Sequence, residues 1–241
     1  MKKNESGAKL ALRYGYVPCR LGLCGPEDKE EKKIIMNYLY GKDKLEFATR
    51  KILKKFKGAH PYYQLIAKAN KISNPLDYEV VEAYWIGNGL LDKIGTSELK
   101  KMMTEKFLPL GKISLAKIEN LPPRSIAHHN FHALFVGSVT GRFEANEAGQ
   151  DVCRVSWGKV VSVKKDKLVV ARQPLKFGKK ISLGRPAERE IYRDKKILPE
   201  VKENDAVSIH WNHAIEKLSP VQIANIKKYT DNVLKILNQS K

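Results

Sequence analysis

The amino-acid sequence predicts an α+β chain: an N-terminal α-helical domain followed by a small β-barrel with a C-terminal helix. Two patterns carry this expectation. Apolar residues recur at three-and-four spacing through the first 110 residues. After residue 152 they cluster instead in short runs rich in Val, Ile and Leu, separated by polar turns. A third observation sets bounds. Forty-two per cent of the 241 residues are hydrophobic, enough to bury a core, yet no run approaches the roughly 18 apolar residues of a membrane span.

The elements follow in order. After a coil-like lead-in, residues 28–40 place Ile34, Ile35, Tyr38 and Leu39 among charges, and residues 43–56 do the same with Leu45, Phe47, Ile52, Leu53 and Phe56. Gly41 separates these two helices and Gly58 ends the second. Pro61 opens a third through residue 72. Asn74-Pro75 opens a fourth that carries Val80, Val81, Tyr84, Trp85 and Ile86 to Gly87 or Gly89. Thr96-Ser97-Glu98 opens a fifth, through Phe107. Residues 131–143 read as a strand or buried segment, and 144–151 as a polar linker. From Val152 the pattern is β. Strands around Val160 and Val169 flank the turn Lys164–Lys167, with further strands at 181–183, 190–193 and 206–210. Five or so short strands in about 65 residues suggest a small closed or half-closed barrel. Ser219 as N-cap and Pro220 as first helical residue then start the C-terminal helix. The expected domains are 1–145, mainly helical and ending in a His-rich segment, and 151–241, barrel plus helix.

The formal net charge is +19, from 45 Lys+Arg against 26 Asp+Glu. The excess is shared almost equally between residues 1–150 and 151–241, so it is denser in the shorter part. Such a balance suits an acidic partner, nucleic acid among them, or a solvated surface. Three cysteines, an odd number, do not make a disulfide framework. The polar start Met1–Gly7 has no apolar stretch behind it, so a cytoplasmic protein is expected.

Four groups of residues could carry chemistry. Cys153 opens the expected barrel, in the run Cys153-Arg154-Val155-Ser156-Trp157-Gly158-Lys159-Val160. His210 closes its last strand, with His213 just beyond. A small barrel can bring first and last strands side by side, so a thiolate and an imidazole could meet at one rim, a pair suited to iron, zinc or copper. His128, His129 and His132 fall within five residues of a chain that has six histidines, and either a helix or a strand would put two of them on one face. This cluster could face the Cys153/His210 rim and complete one site; hydrogen-bonded structural histidines are the plainer reading. Cys19 and Cys24 sit in a Gly- and Pro-rich stretch that reads as a tight loop; as a metal or redox pair they would need further ligands. There is no Walker loop, no Rossmann glycine fingerprint, no nucleophile elbow and no HExxH. A Cys/His acyl transferase would lack an orienting acid, so no enzyme is expected.

Residues 152–237 resemble the HypC/HupF family of [NiFe]-hydrogenase maturation chaperones. Cys153, Gly158, Lys159 and Val160 match the family's opening motif in register. Asp205, His210 and Ala214-Ile215-Glu216 match its closing one. Trp157 stands where the family has Pro, and Asn212-His213 where it has Gly-Phe. The resemblance implies an OB-like barrel that binds iron bearing cyanide and carbonyl ligands through Cys153 and His210. It also implies a HypD-like assembly partner and delivery to a hydrogenase large subunit. The alternatives are a basic OB-type module that binds nucleic acid, with Trp157 and Trp211 stacking bases, and a scaffold protein on a reused barrel.

Overall fold

The computed structural model describes residues 6–239; Met1–Glu5 of the polar start lie outside the described residues. The coil-like lead-in is instead helix α1, Gly7–Arg20. Lys9, Arg13 and Arg20 share its one less-buried face and the other residues are buried, but Gly7, Gly15 and Pro18 read as breakers and hide the helix. A helix with so wide an apolar face belongs against a core. Tyr14, Gly15, Tyr16, Val17 and Pro18 are all buried. Gly7 permits the approach of the next layer, since a Cβ there would meet the Leu76 carbonyl at 2.3 Å.

The expected helices follow as α2 (Lys29–Leu39), α3 (Glu46–Leu53), α4 (His60–Ala69), α5 (Tyr78–Trp85) and α6 (Thr96–Lys106). Asp28 caps α2 by accepting from the Glu31 amide, and Asp77 caps α5 by accepting from that of Glu79. Helix α1 packs on α5, α2 and α3. A short α7 (Leu115–Glu119) comes next.

Two expectations then fail. Residues 131–143 contain no strand. Helix α8 (His129–Phe131) runs into a π-helical turn, His132–Val136. Both apolar and polar residues are buried there, which erases the periodicity that separates helix from strand. Residues 144–151 are not a linker throughout, because helix α9 (Glu147–Cys153) starts inside them. Asn146 caps it through the Gly149 amide. Only Cys153 of α9 is buried, so the helix has a polar sequence. Cys153 therefore ends a helix rather than heading a strand.

Among the described residues seven strands follow: β1 (Ser156–Val163), β2 (Lys167–Arg172), β3 (Leu175–Lys176), β4 (Ser182–Leu183), β5 (Ala187–Tyr192), β6 (Ala206–His210) and β7 (His213–Lys217). Strands β3 and β4 make a separate small ribbon. The other five form a mixed sheet in the order β1-β2-β5-β7-β6. The first and last expected strands do lie side by side, with Ser156 opposite Ile209. Beyond His210 the residue pattern marks no further strand, yet His213–Lys217 folds back as β7. The pairing of β5 with β7 is parallel and rests on one bridge, Tyr192 to His213. Val160, Leu168, Val170, Ile191, Val207, Ile209 and Ala214 fill the space inside the sheet.

The chain ends in α10 (Pro220–Gln239), with Ser219 accepting from the Gln222 amide. Tyr229, Val233 and Leu237 of α10 share one apolar cluster with α1, α5 and Val155. Among the described residues no helix is long and apolar enough to cross a membrane. The fold is α+β, with helices first, then the sheet, then a helix.

Candidate metal centre

Three distant segments converge beside α1. Among the described residues, His129 from α8, Cys153 from the end of α9 and His210 from the end of β6 offer donor atoms that all lie within 4.8 Å of one another. All three side chains are buried. The group could hold a metal ion.

The backbone explains how each is aimed. Pro18 lies inside α1 and has no amide hydrogen, so the Tyr14 carbonyl one turn back lacks its usual helical partner. His210 Nδ1–H donates to that carbonyl at 2.7 Å. The ring is thereby fixed in the tautomer whose Nε2 carries the lone pair, the arrangement that metal-binding histidines commonly show. His210 Nε2 is buried and makes no hydrogen bond. His129 Nε2–H donates to the Cys153 carbonyl at 2.9 Å, and its Nδ1 lies 3.2 Å from the Tyr84 hydroxyl. To become a ligand, His129 must release one of these two bonds.

The supporting residues are equally specific. Asn130 donates to the Val155 carbonyl and to Thr230 Oγ1, and accepts from the Val155 amide. It pins the chain just after Cys153 to α10. The Trp211 amide donates to the Val152 carbonyl, which draws the β6–β7 turn against α9. Behind Cys153, Asp151 pairs with Arg154 at 3.1 Å and with Arg172, and accepts from the Leu175 amide. Arg154 is 1% exposed. Burial lowers it to about 10, opposed by Asp151. Sequence reasoning missed Asp151, Asn130 and Pro18. The Asn within a histidine run was the one signal that could have drawn attention to Asn130.

Burial also sets the charge state. It pushes the Cys153 thiol up to about 12. It lowers His210 to about 4, against the raising influence of the Tyr14 and Cys153 carbonyls. His129 is lowered well below the usual imidazole range, first by burial and then by His210. At neutral pH the group is a thiol and two neutral imidazoles. Such a thiol is a poor nucleophile, whereas a cation that displaces its proton gains a thiolate ligand.

A cavity of about 60 Å³ lies against these donors. Cys24 and His132 also line it, with Tyr84, Trp85 and Trp211. His132 Nδ1 hydrogen-bonds the Tyr62 hydroxyl at 3.2 Å. Cys24 is close enough to Cys19 and Cys153 for each to raise its thiol. Cys19 itself belongs to α1 rather than to a loop, and its thiol donates to the Pro26 carbonyl at 3.8 Å. His128 stands apart, stacked on Tyr229 with 5.8 Å between rings, its Nδ1 accepting from the Asn130 amide. His213 lies outside the group as well, tilted against Tyr192 at 5.2 Å.

Comparison with curated proteins and with solved structures finds no match. One family model, described as "Family of unknown function (DUF6390)", matches residues 3–241. The match takes in the helices, the sheet and all three convergent donors, and the chain belongs to that family.

Proposed function

We propose that this protein binds a transition-metal ion through Cys153, His210 and His129 and serves as a metallocentre-assembly chaperone. The observation that carries the reading is His210 Nε2. It is buried and without a hydrogen bond, its tautomer is held by the Tyr14 carbonyl, and it sits within 4.8 Å of two further donors. An unpaired buried nitrogen costs about 1–3 kcal/mol, and a bound cation would remove that cost. One thiolate with two imidazoles suits iron, zinc or copper.

Iron bearing cyanide and carbonyl ligands is the cargo favoured by the resemblance of residues 152–237 to the HypC/HupF chaperones. The cavity beside the donors supports that choice, because it leaves room for small ligands that the protein does not supply. In this reading the five-stranded sheet is an OB-like barrel. The chain carries a metal rather than converting a substrate. Its partners are a HypD-like assembly protein and the large subunit of a hydrogenase.

The test is metal analysis and infrared spectroscopy of anaerobically purified protein, with anaerobic reconstitution by Fe(II). The native chain should bind about one metal per chain, with cyanide and carbonyl stretches when isolated from a host that makes the complex. Cys153→Ala and His210→Gln should each lose it, while near-ultraviolet circular dichroism shows the fold intact. Full metal retention in both variants, or failure of the native chain to bind any metal, overturns the reading.

A further inference from the structure

An open groove of about 400 Å³ lies where the end of β5 meets α1 and the end of α2. Three tyrosines and a histidine form its apolar part. Tyr16 is buried at the base, with the His213 ring edge-on to it at 6.4 Å. Tyr192 is 52% exposed and Tyr40 is 40% exposed. Both face the same opening.

Cations surround these rings. Arg20, Arg193, Lys195 and Lys196 line the groove. The Lys196 ammonium stands 4.7 Å from the centre of the Tyr40 ring, and Lys167 stands 5.5 Å from that of Tyr192. Arg193 Nε is buried and makes no hydrogen bond. Two acids are present. Asp194 is committed to the fold, accepting from the Tyr40 hydroxyl at 2.8 Å and from the Lys196 amide at 2.9 Å. Asp166 sits in the exposed β1–β2 turn. The groove is therefore net basic, with an unpaired guanidinium nitrogen and exposed flat rings.

We propose that this groove binds a nucleotide, its base against Tyr192 and its phosphates on Arg193, Lys195, Lys196 and Arg20. Exposed aromatic faces beside cations are how strands of nucleic acid are held without reading their sequence. A purely anionic ligand would leave the tyrosines unexplained, and a purely apolar one would leave the cations so. The nucleotide can be free or one unit of a single strand. The site is separate from the metal donors, so Cys153→Ala leaves it intact.

The probes are adenosine 5′-diphosphate, a labelled single-stranded oligoadenylate dodecamer and inorganic pyrophosphate, titrated into the full chain at several salt concentrations. A nucleotide probe should bind, more weakly as salt rises. Tyr192→Ala should weaken it about tenfold, and Tyr192→Phe should not. Lys195→Glu with Lys196→Glu should weaken binding and flatten its salt dependence. The same charge change at exposed Lys101 and Lys106 should do neither. Binding of both nucleotide probes supports a free nucleotide as ligand; binding of the dodecamer alone supports a strand. The proposal is overturned if neither binds at low salt, or if pyrophosphate competes as well as the nucleotide does. It is equally overturned if Tyr192→Ala binds like the native chain or the control pair loses as much.

Discussion

A helix commits the carbonyl of each residue to the amide four positions on. At Tyr14 that amide belongs to Pro18, which has none, and the freed carbonyl accepts from His210 Nδ1. The proline thus links a helix interior to the orientation of a candidate ligand 192 positions further along the chain. Pro18→Ala restores an amide that competes for the carbonyl. We expect α1 to keep or raise its stability, because Pro costs a helix interior about 3 kcal/mol. Metal affinity should fall by about ten- to a hundredfold, the usual consequence of losing the partner that orients a ligating histidine. A competition titration against a chelator measures it, and unchanged affinity would show that the tautomer is set elsewhere. Part of this site is legible in residues alone. Cys153 and His210 stand out by their place at the two ends of the strand region, and His128, His129 and His132 by their density. That His129 is the one to reach Cys153 depends on the phase of α8 and the π-helical turn, which no spacing rule supplies. Pro18 reads as a helix breaker until its orphaned carbonyl is seen to have a use.

The β6–β7 turn shows how much one hairpin places. Trp211 and Asn212 both have positive φ, 49° and 55°, as a two-residue turn of the primed type requires. Asn adopts this conformation at little cost, whereas a β-branched residue is strained in it. The turn sets His210 opposite His213, and its backbone ties to Val152 and Tyr192. Asn212→Gly should leave the thermal midpoint unchanged or raise it. Asn212→Val should lower stability by about 1–2 kcal/mol and loosen the register that carries His210. Chemical denaturation of the two variants checks this, and equal stabilities would mean that the turn bears no strain. Elements with a regular period were readable in advance: α2 to α6 and α10 by their apolar stripes, β1 and β2 by the turn between them. Those that were missed were hidden for physical reasons. Helix α1 carries Gly7, Gly15 and Pro18, which read as breakers across its apolar face, α8 buries its histidines and Asn130 along with its apolar residues, and α9 is too short and polar to show a face. Strand β7 was hidden because Ala214-Ile215-Glu216 is buried without alternation.

Among the described residues of the whole molecule, the larger apolar cluster crosses the change from helical to strand pattern near residue 150, beside the smaller one that fills the sheet. Tyr14, Trp85, Phe131, Val155, Ile215 and Tyr229 belong to one cluster. Inside it lie His128, His129, His132 and His210, all neutral at pH 7. Burial holds His128 and His210 at about 4 and His132 at about 3, and keeps His129 well below the ordinary imidazole value of 6.5. The sign of the linkage follows. Below pH 6.5 the unfolded chain takes up protons at these positions and the folded chain does not, so protons favour unfolding. Stability is full above pH 6.5. It falls as the pH drops, and the histidine contribution is spent only near the folded values of 3 to 4. Each histidine adds up to about 1.4 kcal/mol per pH unit within that window. Carboxylates contribute mainly below pH 5, so the interval from 7 to 5 isolates the imidazoles. We expect metal-free protein to unfold in one cooperative transition, because the helices and the sheet share this core. Its midpoint should fall steeply from pH 7 to pH 5, and less steeply in His128→Gln. Bound metal should lift the low-pH limb, since a ligated His210 cannot take a proton until the metal leaves. A thermal midpoint that stays flat between pH 7 and 5 would mean that these histidines are not held neutral by the fold.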